Sequence, residues 1–266
     1  MRLNIRHVTT YSFEDPVAYG LQQLRKTPKS TWGQTVTEWQ TDVAGGAKEV
    51  SFEDHHNNVV ELISFERQAT KVVVTSTGVV EIDDTAGVMG KHKGPSPLWL
   101  YLRSTPLTHV GPGVRALVRT AREADSDLDK LHKLMAAIRD VVAYEVGSSY
   151  PDWTAEQAIE EGRGVCQDHT HIFAAAAREL GFPARYVSGY LMLDDRLAQD
   201  AMHAWAEAHV DGLGWVGFDV SNSISPDTRY VRVATGLDYH EAAPVTGTRI
   251  GGADETLRVD IEVAQQ

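Results

Sequence analysis

The chain has 266 residues, 42% of them hydrophobic, enough to bury a substantial core in one large domain or two modest ones. Its formal charge is −12 with a pI near 5.3, and the acidity is uneven: the first 150 residues are close to neutral and the rest carry almost all of it. Without a basic excess the chain has little to neutralise a phosphate backbone, so nucleic acid is not an expected partner.

From Leu3 to about Ile82 the sequence predicts short β-rich runs, VTTYSF, QTVTEWQTDV, NVVELISF and KVVVTSTGVVEI, broken by Pro16, Pro28, Gly45-Gly46 and Asn57-Asn58. Such a pattern suits an antiparallel sheet or sandwich of about 80 to 90 residues. Asp83 to Pro97 is rich in glycine and proline and reads as a linker. The expected division is therefore a β-rich N-terminal region over 1–90 and a core over 91–266 that ends in a β-rich tail.

In LDKLHKLMAAIRDVVAY the apolar residues Leu128, Leu131, Leu134, Met135, Ile138, Val141 and Val142 recur at helical spacing. Thr154 and Gln157 have the spacing of a capping box, which predicts a short helix from about Ala155 to Glu161 that stops at Gly162. The turn through Gly164 then delivers Cys166 to the start of an alanine-rich helix, HIFAAAAREL, which Gly181 and Pro183 terminate. Three β-like runs follow, ARYVSGYLML, HAWAEAHV and GWVGFDV, with Asp194-Asp195 and Asp211-Gly212 as turns. The predicted architecture is α+β: an antiparallel β-sandwich-like N-terminal domain, then a core in which a cysteine-bearing helix packs on an antiparallel sheet bearing histidine and aspartate.

Cys166 is the only cysteine, which excludes an intrachain disulfide. Alone it would also suit a small buried apolar residue. Its flanks point elsewhere: Gly162 and Gly164 permit a tight turn, Gln167 and Asp168 are polar, and a helix start favours a thiolate. Of 11 histidines, His203 is the candidate base because it opens a predicted strand, and alternation puts it on one face with Trp205. Asp219 ends the next aromatic-rich strand, where a carboxylate can accept the imidazole N–H. Cys166, His169 and His171, with His203, also raise a zinc site, although on a helix His171 points away from the other two. No calcium-loop pattern is present, and no cofactor is expected.

The segments GRGVCQDHTHIFAAAARELGFPARYVSGYL, MHAWAEAHVDGLGWVGFDVSN and GLDYHEAAPVTG resemble the core of bacterial transglutaminase-like proteins, a family also described as cysteine proteases. YSFEDPV, LRKTP and DHHNNVVE extend the resemblance, more weakly, to the β-rich region that precedes the core in that family. It implies a papain-like fold and thiol mechanism. Cys166 attacks an amide carbonyl, His203 shuttles the proton, Asp219 orients His203, and the acyl-enzyme goes to water or to a primary amine. Asp168 and His171 match the segment after the family's cysteine, and Tyr190 and Tyr239 match aromatic positions expected near the cleft. Trp153 and Trp205 are candidate walls for an acyl-acceptor tunnel. Departures are His169, where the family usually has an aromatic residue, and Val220, where a proline commonly follows the aspartate.

The expected substrate is a peptide, protein or small amide, with hydrolysis favoured over transfer. The alternative of another class is a catalytically silent peptide- or protein-binding module of the same fold. The opening MRLNIRHVTTYSF has no apolar signal core and no stretch is long enough to cross a bilayer, so a cytoplasmic location without membrane partners is expected.

Overall fold

The computed structural model describes residues 1–194 and 197–266; the expected turn residue Asp195 lies outside them. The first strand, β1 (Arg2–Leu24), follows from alternation: Leu3, Ile5, His7, Thr9, Tyr11 and Phe13 are buried and their neighbours are less so. Pro16 does not end it. It sits in a register shift between Ser12 and Val17, where a residue without an N–H does not interrupt the ladder, and the strand changes partners there. The chain continues through β2 (Gln34–Ala44), β3 (Gly46–Glu53), β4 (Val59–Phe65) and β5 (Ala69–Ile82). Gly45, at φ +78°, makes the turn between β2 and β3, and the mostly exposed β3 is a strand that the sequence pattern does not show.

Residues of the expected linker form β6 (Val88–Gly90), followed by a 3₁₀ turn at Leu98–Leu102. Helix α1 (Pro112–Ala121) lies where no element is predicted. Its capping partner is distant in sequence: the Glu156 carboxylate accepts the N–H groups of Gly111 (2.8 Å), Gly113 (3.0 Å) and Val114 (2.8 Å). Next come α2 (Asp127–Val141), β7 (Ala143–Tyr144), α3 (Ala155–Glu161), β8 (Arg163–Gly164) and α4 (Cys166–Glu179). The Thr154–Gln157 capping box is formed, and Gly162 closes α3 in the left-handed region at φ +67°.

The remaining elements are β9 (Ala184–Leu191), β10 (Ala198–Gln199), β11 (His203–Val210), β12 (Gly214–Phe218), β13 (Tyr230–Gly236), α5 (Tyr239–Ala242), β14 (Val245–Gly251) and β15 (Thr256–Gln265). Two antiparallel sheets result. The core sheet runs β13-β9-β11-β12-β6. The other has eight strands: β1 takes β15 and β5 along its first half and β14 and β4 along its second, so the C-terminal strands complete the N-terminal sheet.

Helix α4 is buried from Asp168 to Arg178 and packs on one face of the core sheet, within a cluster that includes Ala206, Ala208, Val216 and Phe218. Alanines on both surfaces let helix and sheet approach closely. The two sheets share a second core, in which Leu3, Ile5, Val80 and Val263 meet Tyr190, Val231 and Val233. Two buried amides also join the sheets as if they were strand backbone. Gln34 pairs with the N–H and C=O of Arg232 (2.8 and 2.9 Å), and Asn58 with those of Thr235 (2.8 and 2.7 Å). No helix among the described residues is long and apolar enough to cross a membrane.

Candidate active site

The turn into α4 requires close backbone approach. A Cβ on Gly164 would lie 2.8 Å from the side chain of Asp168, so only glycine fits without a shift. The Asp168 carboxylate, buried beside the turn, accepts the N–H of Val165 at 2.8 Å. Val165 is the N-cap residue and carries no side-chain acceptor, which leaves first-turn N–H groups of α4 for an outside oxygen. Cys166 is the first helical residue. It is half-buried and packs with Tyr186, Ala204, Tyr239 and Ala242.

The imidazole of His203 bonds Oδ2 of Asp219 through Nε2 at 2.6 Å, and Cys166 is close enough to act on its charge. Nδ1 is the nitrogen that this bond leaves unused. Burial is the largest influence on His203 and disfavours its charged form. The charge on Cys166 and the hydrogen bond to Asp219, with the Asp219 charge, outweigh it and raise the pKa to about 10.

Asp219 follows the last residue of β12 and has no solvent exposure. Burial pushes its carboxyl up, but hydrogen bonds to the ionised form from His203, Tyr230 and Asn222, with the His203 charge, leave its pKa below the ordinary value. The Tyr230 hydroxyl donates to Oδ2 at 2.7 Å, as does the Asn222 amide, and the Asn222 N–H donates to Oδ1 at 3.2 Å. The sequence pattern misses both residues. Asn222 could have been found, because an aspartate followed three residues later by asparagine marks a side-chain-closed turn. Tyr230 reaches Asp219 from the next strand and leaves no local signal.

Trp205 is buried and its ring stacks with the His203 ring, centroids 6.3 Å apart, so alternation placed this pair on one face. Tyr239 adjoins Cys166, and its N–H donates to Nε2 of the fully buried His171 at 3.2 Å. Asp168 and His171 thus hold backbone rather than facing a cleft. Burial, then the Arg178 and His240 charges, lowers the His171 pKa to about 3. Trp153 packs against the helical core, beside a loop whose Pro151 carbonyl accepts from Gln167 at 2.8 Å.

The expectation for Tyr190 is corrected. It lies between the two sheets, not at Cys166: its hydroxyl contacts Nδ1 of His7 at 3.0 Å and its ring lies against Trp39. At its end of β9 the core sheet meets β1 and β5, so the residue is covered by the N-terminal half. The zinc grouping also does not form. His169 is engaged by the Ser221 hydroxyl (2.9 Å) and the Val142 carbonyl (3.0 Å), and His171 by Tyr239. Among the described residues the metal-ligand grouping found is His55, His56 and Glu241, which does not include Cys166.

Residues 115–220 match the transglutaminase-like superfamily core, and residues 3–81 match the bacterial transglutaminase-like N-terminal region. The chain belongs to the transglutaminase-like superfamily. An uncharacterized protein of Mycobacterium leprae is 26% identical to this transglutaminase-like chain, covering 99% of each, and one of Mycobacterium bovis is 25% identical, covering 98% of this chain and 91% of its own. Among solved structures, a Cytophaga hutchinsonii protein named as a putative cysteine protease superposes with a TM-score of 0.79 at 21% identity, covering 99% of this chain and 90% of its own. At that identity the likeness establishes the fold.

Proposed function

We propose that this protein is a cysteine amide hydrolase, with Cys166 as nucleophile, His203 as acid and base, and Asp219 as the group that orients His203. The observation that carries the reading is the position of one imidazole, bonded to a buried carboxylate and under the electrostatic influence of a thiol at a helix start. The likeness of the whole chain to a protein named as a cysteine protease supports it.

In this mechanism the Cys166 sulfur, its proton passed to His203, attacks a carbonyl carbon. The oxyanion that forms accepts hydrogen bonds from N–H groups of the first turn of α4, that of Cys166 among them. His203 returns the proton to the departing amine as the C–N bond breaks, leaving a thioester on Cys166. A water then loses a proton to His203 and attacks the thioester, which releases the acid and restores the thiol. Asp219 keeps the Nε2 proton in place throughout.

A primary amine could replace water in the last step. Hydrolysis is favoured because Trp205 is buried under the imidazole and Trp153 packs on the core, so neither walls an acceptor tunnel. The test is mass spectrometry of a peptide and glutamine-amide library incubated with the enzyme, with and without a primary amine, alongside Cys166→Ala. New acids that depend on Cys166 are expected. Amine adducts alone would make the enzyme a transferase, and no turnover together with a thiol inert to alkylation would make it a binding module.

A further inference from the structure

Away from Cys166 a cavity of about 480 Å³ opens between the N-terminal half and the core sheet. The ladder puts it on the face of the core sheet opposite α4. Glu207 pairs with Arg185 across β11 and β9, and His209 with Trp215 across β11 and β12, so these side chains share a face. Ala206, Ala208, Val216 and Phe218 occupy the other face, against α4.

The cavity is cationic in a chain whose net charge is −12. Lys29, Lys91, Lys93, Arg185 and Arg232 line it, and among the described residues no carboxylate does. Beneath it, Glu207 has no solvent exposure and binds both arginines: Oε2 accepts from Nε of Arg185 at 2.6 Å, and Oε1 from Nε of Arg232 at 2.9 Å. One carboxylate under two guanidiniums leaves an excess positive charge at the floor, and Arg232 keeps Nη donors for another acceptor. At the rim Lys29 is partnered by Glu53 at 2.7 Å, while Lys91 and Lys93 are exposed on the strap from β6.

The walls are aromatic as well as charged. Trp215 is buried and the Arg185 guanidinium stacks over its ring at 3.9 Å, while Trp32, 64% exposed, stands at the mouth against the backbone of Gly90. An exposed tryptophan beside a cationic cavity of this size suits a ligand with a flat apolar body and a charged head.

We propose that this cavity binds a small organic anion, its carboxylate or phosphate held by Arg232 and the Lys91–Lys93 strap and its flat body stacked on Trp32, at a site separate from Cys166. The paired oxygens of a carboxylate or phosphate match the fork of an arginine, and burying such a head there neutralises the floor.

The test is calorimetric titration of the full-length protein with four probes: 2-naphthoate, 2-naphthyl phosphate, neutral 2-naphthamide and inorganic phosphate. At least one naphthyl anion should bind one-to-one, at least about tenfold more tightly than naphthamide and inorganic phosphate, and more weakly as salt is added. The preferred naphthyl anion identifies the head group. Trp32→Ala and the double variant Lys91→Ala/Lys93→Ala, all at exposed positions, should each weaken it about tenfold, and Cys166→Ala should leave it unchanged. The proposal is overturned if neither naphthyl anion binds, if naphthamide or inorganic phosphate binds as tightly, if the cavity variants bind normally, or if Cys166→Ala abolishes binding.

Discussion

Asp219 has no contact with solvent, and its Oδ2 lies 2.6 Å from Nε2 of His203. The same oxygen also accepts from Tyr230 and Asn222 at 2.7 Å each. An oxygen with three donors fixes the imidazole more firmly than a two-residue contact would, and a substitution there separates orientation from folding. Asp219→Asn keeps the shape but offers His203 a neutral partner and permits the wrong tautomer. Amide turnover should fall roughly 10²- to 10⁴-fold with little change in KM. Tyr230→Phe removes one charge-assisted bond to Asp219, worth about 1.5–3 kcal/mol, and should lower turnover less. Steady-state kinetics on the two variants checks the order.

The pH behaviour of His203 follows from the same contacts. Its pKa is raised from 6.5 to about 10, so the imidazolium contributes stability that is fully present below pH 6.5 and lost as pH rises through about 10. The basic limb of the rate profile should therefore lie near pH 10. Cys166→Ala removes the largest raising influence, and the imidazole pKa should then fall. NMR titration of His203 in the two proteins measures the difference; an unchanged value would mean that the sulfur and the imidazole do not interact in solution.

Lys26 makes a separate prediction about stability. It is fully buried and donates to the Thr9 hydroxyl, which contacts Nε2 of His7 at 3.2 Å. Burial lowers its pKa from 10.5 to about 7. Between those values the unfolded chain binds a proton that the folded chain does not, so this residue makes stability rise with pH, by up to ~1.4 kcal/mol per pH unit. Lys26→Met removes the term. Denaturant melts of both proteins from pH 7 to 10 should show the wild type gaining on the variant as pH increases.

Much of this arrangement is legible in the sequence because its determinants are local. Alternation marks β1, β2, β4 and β5 where one face is buried, and the Thr154–Gln157 box and Gly162 bound α3 through bonds within one turn. Cys166 at a helix start and His203 at a strand start are read the same way. Contacts with distant partners are not legible. Glu156 caps α1 from more than 40 residues away, so PGVRALVRTA, opening on glycine and proline, resembles a turn. Residues 245–265 look like a β-rich tail, and nothing local shows that they pair with β1. Tyr190 is apolar and strand-like in either of two positions; β1 and β5 decide that it is covered between the sheets.

Arg178 shows how the helical layer is tied to the strands around the candidate site, and it supports a last prediction. Buried near the end of α4, its guanidinium donates to the carbonyls of Tyr101 (3.2 Å), Ala184 (2.9 Å) and Leu237 (2.6 Å) and to the Thr108 hydroxyl (2.9 Å). Burial, its largest influence, pulls its pKa down to about 10 despite the Asp238 and Glu241 charges. These acceptors come from four stretches of chain, so the planar fork serves as a shared partner for backbone that has little else to bond. A lysine has one nitrogen and cannot span them. Arg178→Lys leaves at least one buried carbonyl unpaired and a more strongly hydrated charge in a dry site, costing about 3 kcal/mol. For a chain of this size that is a fall in Tm of roughly 6–12 °C. Differential scanning calorimetry checks it, and a variant that melts with the wild type would show that water replaces the guanidinium at no cost.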